Sequence, residues 1–562
     1  MLYAPICLGL LLSLSACVST TSQQPRVKQP GVAAIASADP LATAAGMAVL
    51  KEGGNAFDAA VAIAATLAVT EPAGSGLGGG GFFLLYIADK DEYRFVDARE
   101  VAPAAAHRDM YLDATGEPVP KASVNGPLAA GIPGEPAGMA YLAEQYGTLP
   151  LKRLLQPAIE IAETGFPIGQ RALAGLRFRT KTISQWPAMT EVFLRNGNLP
   201  AEGSIIRQPD LAATLKRFAA FGTDGFYRGE TARLLVDGVQ AAGGIWTLED
   251  LANYRVAERE PQIAWYGDMR IVSAPPPSSG GIVLAQMFNF LSGYDLSAMS
   301  EVQQTHYLVE GMRRAYRDRA LYMGDADFVS LPLDMLLSEH YMAGQRVTVS
   351  PDKATPSSAL TGISTDGSEG TQTTHFSVLD GQGNRVAATI TVNTWYGSAF
   401  MAPGTGVVLN NEMDDFSIKR GVPNDFDLIG DVANAIEPGK RPLSSMSPTF
   451  LESDRGVAIV GTPGGSRIIT MVMRAAMAWQ QGATAQEMVE LKRFHHQYLP
   501  DSINYEADAF SAEIQAELEQ IGHTFSLARG PFGNMNVITW DFATGDVVAA
   551  TDPRGEGEGL VY

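Results

Sequence analysis

A threonine that starts a strand is the residue whose type and position best suit nucleophilic chemistry. Thr373 follows the polar stretch 351–372 and opens the run Thr-Thr-His-Phe-Ser-Val-Leu. If the bond between Gln372 and Thr373 were broken, Thr373 would carry both a hydroxyl and a free α-amine. An α-amine titrates at about 7.7–8.0, so it can accept the hydroxyl proton at neutral pH without a histidine. The pattern alone leaves open that Thr373 is an ordinary strand residue.

Other catalytic machineries are poorly represented. The chain has no G-x-S-x-G, H-E-x-x-H or G-x-x-x-x-G-K-[ST] sequence. Its two cysteines, Cys7 and Cys17, lie within the first 17 residues, which excludes a thiol nucleophile from the globular part. The seven histidines are scattered, and we expect neither a metal nor another cofactor. Spacing alone does not exclude a Ser-His-Asp triad.

The elements that must position Thr373 follow a mixed helix and strand pattern. Residues 373–379 and 385–393 are β-branched runs on either side of Asp380-Gly-Gln-Gly-Asn384, which predicts a hairpin. Elsewhere we expect helices from the start signal at 37–40 to about 51, at 56–69 and at 466–480, and strands at 82–87, 534–540 and 547–551. The middle, about 135–345, reads as mainly helical, and 351–372 reads as a linker or an exposed tail.

A glycine run at 74–81 contains a literal G-x-G-x-x-G. A dinucleotide fingerprint follows a strand and opens a helix, whereas this run follows a predicted helix and opens a predicted strand. The pattern therefore favours close backbone approach between layers, or the floor of a site, over nucleotide binding.

Composition restricts the class of protein and its partners. The chain has 562 residues, 46% hydrophobic and 18% charged, so a mostly disordered chain is excluded. Its formal net charge of −20 argues against nucleic acid as the main partner and against docking on an anionic membrane surface.

The N-terminus has the features of an export signal. Residues 1–16 form an apolar run too short to span a bilayer, and Leu14-Ser-Ala-Cys17 resembles a bacterial lipoprotein processing box. We expect a signal peptide at 1–16, a polar tether at 17–36 and lipidation of Cys17, with an ordinary secretory signal as the alternative. The predicted location is the periplasm, with any membrane contact through the lipid alone.

Several long motifs resemble the γ-glutamyltranspeptidase family of N-terminal nucleophile hydrolases. The signature is Thr373-Thr-His-Phe-Ser-Val followed by Gly383-Asn-x-Val-Ala-x-Thr389-x-Thr391-Val-Asn393-x-x-Tyr396-Gly397. Further similar blocks lie along nearly the whole chain at 53–60, 78–81, 97–103, 275–281, 409–417, 440–448, 461–467 and 552–554. The resemblance implies an α+β fold, a four-layer αββα sandwich. It also implies self-cleavage into a large subunit, 37–372, and a small subunit, 373–562, which form a heterodimer.

The resemblance also implies a role for each matching residue. Thr373 resembles the nucleophile, and the cleaved bond is Gln372–Thr373. Thr391 resembles the residue that hydrogen-bonds the nucleophile, and Gly464 and Gly465 resemble the oxyanion donors. The groups that resemble the binding site for the glutamyl head are Arg99, Ser444 and Ser445 for its carboxylate, and Asn393, Glu412 and Asp415 for its ammonium. Phe426 lies in a segment similar to a lid, at a position where bacterial members often have tyrosine.

The implied reaction transfers a γ-glutamyl group from glutathione or related amides to water or to an amino acid or peptide. Two alternatives stay open from the sequence. One is an acylase of the same superfamily that acts on glutaryl, cephalosporin-type or poly-γ-glutamyl substrates. The other is a catalytically silent lipoprotein that binds glutamyl peptides.

Overall fold

Two antiparallel sheets pack face to face, and helices cover their outer sides. The computed structural model describes Met1, residues 29–360 and residues 373–562. The predicted signal peptide, Cys7, Cys17, most of the tether and Gln372 lie outside the described residues. Within the described part, no helix combines the length and the apolar character needed to cross a membrane.

The strands, in chain order, are β1 (Ala34–Ser37), β2 (Gly80–Ile87), β3 (Glu92–Ala98), β4 (Phe166–Pro167), β5 (Ile205–Ile206), β6 (Ala257–Arg259), β7 (Gln262–Tyr266), β8 (Met269–Ser273), β9 (Thr374–Leu379), β10 (Arg385–Thr391), β11 (Thr449–Ser453), β12 (Gly456–Gly461), β13 (Phe494–His495), β14 (Ile503–Tyr505), β15 (Phe525–Leu527), β16 (Asn536–Asp541), β17 (Val547–Thr551) and β18 (Glu558–Val561).

The helices are α1 (Pro40–Lys51), α2 (Ala56–Thr70), α3 (Glu135–Gln145), α4 (Leu151–Leu154), α5 (Gln156–Thr164), α6 (Gln170–Ile183), α7 (Pro187–Phe193), α8 (Pro209–Phe221), α9 (Asp224–Tyr227), α10 (Gly229–Ala241), α11 (Leu248–Asn253), α12 (Gly280–Leu291), α13 (Glu301–Tyr322), α14 (Leu333–Leu336), α15 (Glu339–Val347), α16 (Ile468–Gln480), α17 (Ala485–Glu490) and α18 (Ala512–Gln520).

The sandwich follows from the alternation of side chains along each strand. The first sheet has the order β18-β1-β9-β10-β2-β3-β6, and the second has the order β17-β16-β12-β11-β8-β7. In β2, Phe83 and Leu85 pack into the core shared with α1, α2 and α3, whereas Phe82 and Leu84 pack into the core between the sheets. The second sheet is covered on its outer face by α12, α16 and α17. The predicted αββα sandwich is therefore confirmed.

Both sides of the predicted cleavage site contribute to the same sheets. In the first sheet, β9 and β10 from the later part of the chain lie between β1 and β2 from the earlier part. Breaking one bond before Thr373 would leave these ladders of hydrogen bonds in place. A cleaved molecule would therefore stay together without a covalent link.

The start signals predicted for the first two helices are confirmed, each by a capping side chain. Asp39 accepts hydrogen bonds from the N–H groups of Leu41 and Ala42 at the start of α1. Asn55 and Asp58 form a capping box at the start of α2. All residues of α2 are buried, which explains its run of small apolar side chains against the sheet.

The prediction that the middle region is mainly helical is confirmed, because most of its residues lie in α3 to α15. The region also holds five short strands that were not predicted, β4 to β8, and β8 pairs with β11 inside the second sheet. Each of them is two to five residues long and stands among helices, which is too short to show a strand period in the sequence. In the segment predicted to be a linker or an exposed tail, most of residues 351–360 are exposed, but Ala354 and Ser357 are buried and Ser357 N donates to Asp501 Oδ2 at 2.7 Å. Residues 361–372 lie outside the described part.

The glycine run lies where the start of β2 comes close to the end of β10. A Cβ atom on Gly79 would lie 1.9 Å from the carbonyl oxygen of Thr391, and one on Gly78 would lie 2.0 Å from that of Val408. Because both obstacles are backbone atoms, no side chain can rotate away to make room. The close-approach interpretation of this run is confirmed.

We predict that Gly79→Ala destabilises the protein, because the added methyl group must displace the backbone of β10. Overpacking of this kind costs about 1–3 kcal/mol, or more where the backbone must move. The midpoint of thermal unfolding should fall, and the end of β10 should be distorted.

Gly344→Ala is the matched control, because a Cβ there meets nothing within 4 Å and the residue lies in α15. Alanine is favoured over glycine in a helix by about 1 kcal/mol, so this variant should melt no lower than the parent. Equal midpoints for Gly79→Ala and the parent would contradict the proposed clash.

Candidate active site

Two threonine hydroxyls meet where β9 and β10 begin and end. The hairpin pairs Thr374 with Ile390, so Thr373 lies opposite Thr391. The two Oγ1 atoms are 3.3 Å apart, and both residues are buried. Thr391 Oγ1 also accepts the backbone N–H of Asn393 at 2.7 Å. That bond occupies an oxygen lone pair of Thr391 and leaves its hydroxyl proton able to point at Thr373.

These hydroxyls border a small, partly open cavity of about 20 Å³, roughly the room needed by one water molecule. The structure brings together nearly all the residues that the sequence singled out. Those that line the cavity are Arg99, Thr373, Thr391, Asn393, Glu412, Asp415, Phe426, Ser444, Ser445 and Gly465. Gly464 adjoins the cavity in the same turn as Gly465.

Arg99 is the central charge of the cavity. Its Nη1 lies 2.7 Å from Glu412 Oε2, and its Nη2 lies 2.5 Å from Asp415 Oδ2. Burial alone would lower the pKa of Arg99, but the carboxylates of Glu412 and Asp415 raise it above its usual value. The guanidinium is therefore charged throughout the accessible pH range.

Two acids near Arg99, Glu412 and Glu100, are shifted toward their neutral forms. Burial raises the pKa of Glu412 well above its usual value, and Arg99 only partly opposes this. Burial likewise raises the pKa of Glu100 to about 8, and Arg99 Nη1 is 3.8 Å from its carboxylate. The cluster can thus adjust its charge when a ligand enters by losing or taking up a proton.

The turn before α16 supplies backbone donors. Gly464 and Gly465 have φ of +141° and +58°, a conformation that favours glycine, and they begin the 3₁₀ turn 465–467 that leads into α16. The first N–H groups of a helix have no acceptor within the helix and carry partial positive charge. Gly465 lines the cavity together with Thr373, so this turn borders the same space as the hydroxyl.

A loop of residues 424–428 covers the cavity. A Cβ on Gly465 would lie 2.5 Å from the ring of Phe426, which shows how closely the ring sits on the turn. The backbone carbonyl of Phe426 accepts a hydrogen bond from Gln497 Nε2 at 3.1 Å. Asn424 Nδ2 donates to Asp415 Oδ1 at 3.3 Å, so the loop is tied to a group inside the cavity. This is the segment that resembles a lid, and Phe426 holds it by packing without a side-chain hydroxyl.

His375 does not serve as a base for Thr373. Its Nδ1 lies 2.9 Å from Thr389 Oγ1, and its Nε2 lies 3.2 Å from Ser377 Oγ. Burial lowers the pKa of His375 to about 3, so the ring is neutral at physiological pH. Its ring packs on Gly461, and it acts as a core residue between the sheets.

Sequence reasoning missed Arg319, which lines the cavity from α13. Its Nη2 donates to Ser445 Oγ at 3.2 Å, and its Nε donates to Ser279 Oγ at 2.9 Å. Arg319 lies in a helix that contains several other charged residues, so the local sequence does not distinguish it from an ordinary helix arginine. The remaining lining residues are Leu428, Met446, Ser466 and Ile468. Among the described residues, no group of three or more His, Cys, Asp or Glu side chains could hold a metal ion.

A family model described as Gamma-glutamyltranspeptidase matches residues 42–562, which is nearly the whole chain. The chain belongs to the γ-glutamyltranspeptidase family. The resemblance deduced from the motifs is thereby confirmed.

Relatives and a solved structure agree with the family assignment. A glutathione hydrolase proenzyme of Pseudomonas sp. (strain A14) is 45% identical over 515 residues, covering 91% of this chain and 89% of that protein. The glutathione hydrolase proenzyme of Escherichia coli (strain K12) is 39% identical over 525 residues, covering 92% and 90%. The crystal structure of a cephalosporin acylase from Bacillus halodurans superposes with a TM-score of 0.82 at 27% identity, covering 98% of this chain and 99% of that chain.

Asp414 accepts a hydrogen bond from the 424–428 loop, and its pKa leads to a prediction about how stability depends on pH. Its Oδ2 accepts the N–H of Asp425 at 2.8 Å, and its Oδ1 accepts the hydroxyl of Ser123 at 2.6 Å. Burial raises the pKa of Asp414 to about 7; these two hydrogen bonds oppose the shift, and the nearby acids Asp425 and Asp415 add to it. A carboxyl group whose pKa is higher in the folded state loses its stabilising contribution as pH rises from about 4 to about 7.

We therefore expect the parent to lose about 2 to 3 kcal/mol more stability between pH 5 and pH 8 than Asp414→Asn, which cannot ionise. Thermal midpoints of both proteins at the two pH values measure the difference. Asp546→Asn, at an exposed acid, should follow the parent. Parallel pH dependence of Asp414→Asn and the parent would show that Asp414 does not titrate in this window.

Proposed function

We propose that this member of the family cleaves itself between Gln372 and Thr373 and then transfers γ-glutamyl groups through the Thr373 hydroxyl. The observation that carries the proposal is the contact of Thr373 with Thr391 inside a cavity that also holds Arg99 and the serine pair. The names of its relatives, which are proenzymes of glutathione hydrolases, support both the maturation and the donor class.

Maturation needs only the groups on the chain and one water. The hydroxyl oxygen of Thr373 attacks the carbonyl carbon of Gln372, the C–N bond breaks, and the nitrogen of Thr373 takes the proton. Water then hydrolyses the ester that links the two residues. The products are a carboxylate on Gln372 and a free α-amine on Thr373.

In the mature enzyme this α-amine serves as the base. It takes the hydroxyl proton as Thr373 Oγ1 attacks the γ-carbonyl carbon of the donor, and it returns a proton to the departing amine. The acyl-enzyme is then resolved by water or by the amino group of an acceptor. The N–H groups of Gly464 and Gly465 stabilise the oxyanion, and removing one such donor typically costs about 3 kcal/mol of barrier height.

Donor recognition is an exchange of ion-pair partners. A γ-glutamyl head carries a carboxylate and an ammonium, and the cavity without a donor already pairs Arg99 with Glu412 and Asp415. The donor carboxylate takes the place of one acid at Arg99, and its ammonium binds Glu412, Asp415 and Asn393. Each charge buried by binding thus meets an opposite charge, which offsets the cost of desolvation.

A second candidate is an acylase for glutaryl or cephalosporin-type amides, favoured by the likeness to the Bacillus halodurans acylase. A glutaryl group lacks the ammonium and would leave Glu412 and Asp415 facing Arg99 without a new partner. We therefore favour the γ-glutamyl donor. Turnover of a glutaryl anilide but not of a γ-glutamyl anilide would select the acylase.

We also propose export to the periplasm with a lipid on Cys17. Residues 1–17 of the sequence support this proposal. Intact mass spectrometry of protein purified from membranes tests it by the mass of the N-terminal fragment. A soluble periplasmic protein without the acyl groups would contradict the lipid anchor.

We predict that Thr373→Ala abolishes maturation and turnover, because the variant has no hydroxyl to attack either carbonyl. A denaturing gel should show a single band where the parent shows two. Thr373→Ser is the matched control and should mature, since it keeps the hydroxyl. Two bands for Thr373→Ala would refute self-cleavage by this residue.

We predict that Arg99→Lys raises KM for a γ-glutamyl anilide about tenfold or more, because lysine cannot form the fork that a carboxylate accepts. Maturation should proceed, since Gln372 offers Arg99 no free carboxylate. Steady-state kinetics and a denaturing gel report the two effects.

Arg493→Lys is the control for this variant, because Arg493 is also buried and paired with an acid, Asp552, but does not line the cavity. Its KM should stay close to that of the parent. If Arg99→Lys slowed maturation and turnover equally, Arg99 would have a structural role and would not be a binding residue for the donor.

A further inference from the structure

Arg319 is a buried guanidinium that no acid contacts directly within the part of the chain that the structure describes, although Asp415 acts on it from a greater distance. The residue is 5% exposed and has no carboxylate within 4.0 Å. By contrast, Arg99 on the other side of the same cavity contacts two carboxylates, those of Glu412 and Asp415. Burial lowers the pKa of Arg319 to about 10, so it remains charged at neutral pH. A buried charge without a counterion costs several kcal/mol, and an anionic ligand would recover part of that cost.

The hydroxyls beside Arg319 are prepared to donate. Ser445 Oγ accepts from Arg319 Nη2 at 3.2 Å, and Ser444 Oγ accepts from the backbone N–H of Met446 at 3.1 Å. A hydroxyl has one proton and two lone pairs, so an oxygen that accepts one N–H keeps its own proton for another acceptor. Both serines line the cavity. Two O–H donors side by side match the two oxygens of a carboxylate.

The helix that carries Arg319 fixes this arrangement from outside. Tyr316, one turn earlier in α13, donates its hydroxyl to the carbonyl of Ser466 in the turn that follows Gly465. The same face of α13 therefore holds both the serine pair and the oxyanion turn. Ser279, at the start of α12, receives the second N–H of Arg319 and fixes the direction of its guanidinium.

We propose that Arg319 is a positioning residue for the α-carboxylate of the γ-glutamyl donor, acting through the hydroxyl of Ser445. It orients that hydroxyl as a donor and places behind it a positive charge that no carboxylate contacts directly. The donor carboxylate then lies between Arg99 on one side and the serine pair backed by Arg319 on the other. This inference rests on the proposed γ-glutamyl transfer and adds to it a second source of charge.

The test compares two product-like inhibitors that differ only at the α-carboxylate. L-Glutamate carries the carboxylate, and isoglutamine carries a neutral amide in its place. We expect Arg319→Met to raise the inhibition constant of L-glutamate about tenfold or more, as for the loss of a charge-assisted interaction, and that of isoglutamine less than about twofold. KM for a γ-glutamyl anilide should rise while kcat changes little.

Arg179→Met is the matched control. Arg179 is also buried, also lacks a carboxylate within 4.0 Å and donates to the carbonyl of Gly397 at 3.0 Å, but it does not line the cavity. Both inhibition constants should stay close to those of the parent. Arg319→Lys keeps the charge but cannot bind Ser279 and Ser445 together. Its inhibition constant for L-glutamate should therefore lie between those of Arg319→Met and the parent.

Three results would overturn the proposal. Equal weakening of both inhibitors by Arg319→Met would make Arg319 purely structural. A full effect of Arg319→Met in a Ser445→Ala background would show that it does not act through Ser445. Failure of both Arg319 variants to mature, with Arg179→Met mature, would assign Arg319 to folding. If the parent matures but transfers no γ-glutamyl group, the proposed function itself fails, and that outcome is distinct from all three.

Discussion

The contact between the hydroxyls of Thr373 and Thr391 depends on the pairing of β9 with β10, and the proposed chemistry depends on that contact. Because the two strands lie in the middle of a sheet, their register is fixed by neighbours on both sides. The glycine run on β2 lets the backbone approach Thr391 closely, and the helix layer behind it is filled by small residues of α2. A nucleophile on a loop would lack this fixed geometry.

Arg99 is held by acids on two sides. It contacts Glu412 and Asp415, and Asp415 also receives a hydrogen bond from Asn424 of the 424–428 loop. A zwitterionic donor offers a carboxylate and an ammonium, so it can replace these contacts in kind. In the proposed mechanism, donor binding and movement of the 424–428 loop would be coupled through Asp415, because this side chain accepts from Asn424 and would also bind the donor.

Features with a local pattern could be predicted from the sequence, and features set by distant packing could not. The two capped helices and the hairpin depend on nearby residues, and long motifs gave the family and its site. The strands β6 to β8 are short, and only pairing with β11 shows that β8 belongs to the sandwich. Arg319 reaches the cavity because α13 packs beside the serine loop, a contact across more than a hundred residues that no local spacing records.

The most direct test of the account is to identify the atom that carries the acyl group. Mature protein is mixed briefly with a γ-glutamyl anilide, quenched in acid and digested, and its peptides are weighed and sequenced by mass spectrometry. The account predicts one γ-glutamyl group as an ester on the hydroxyl of the peptide that begins at Thr373. An acyl group on any other side chain, or a peptide that runs through Gln372 into Thr373 in active protein, would contradict it.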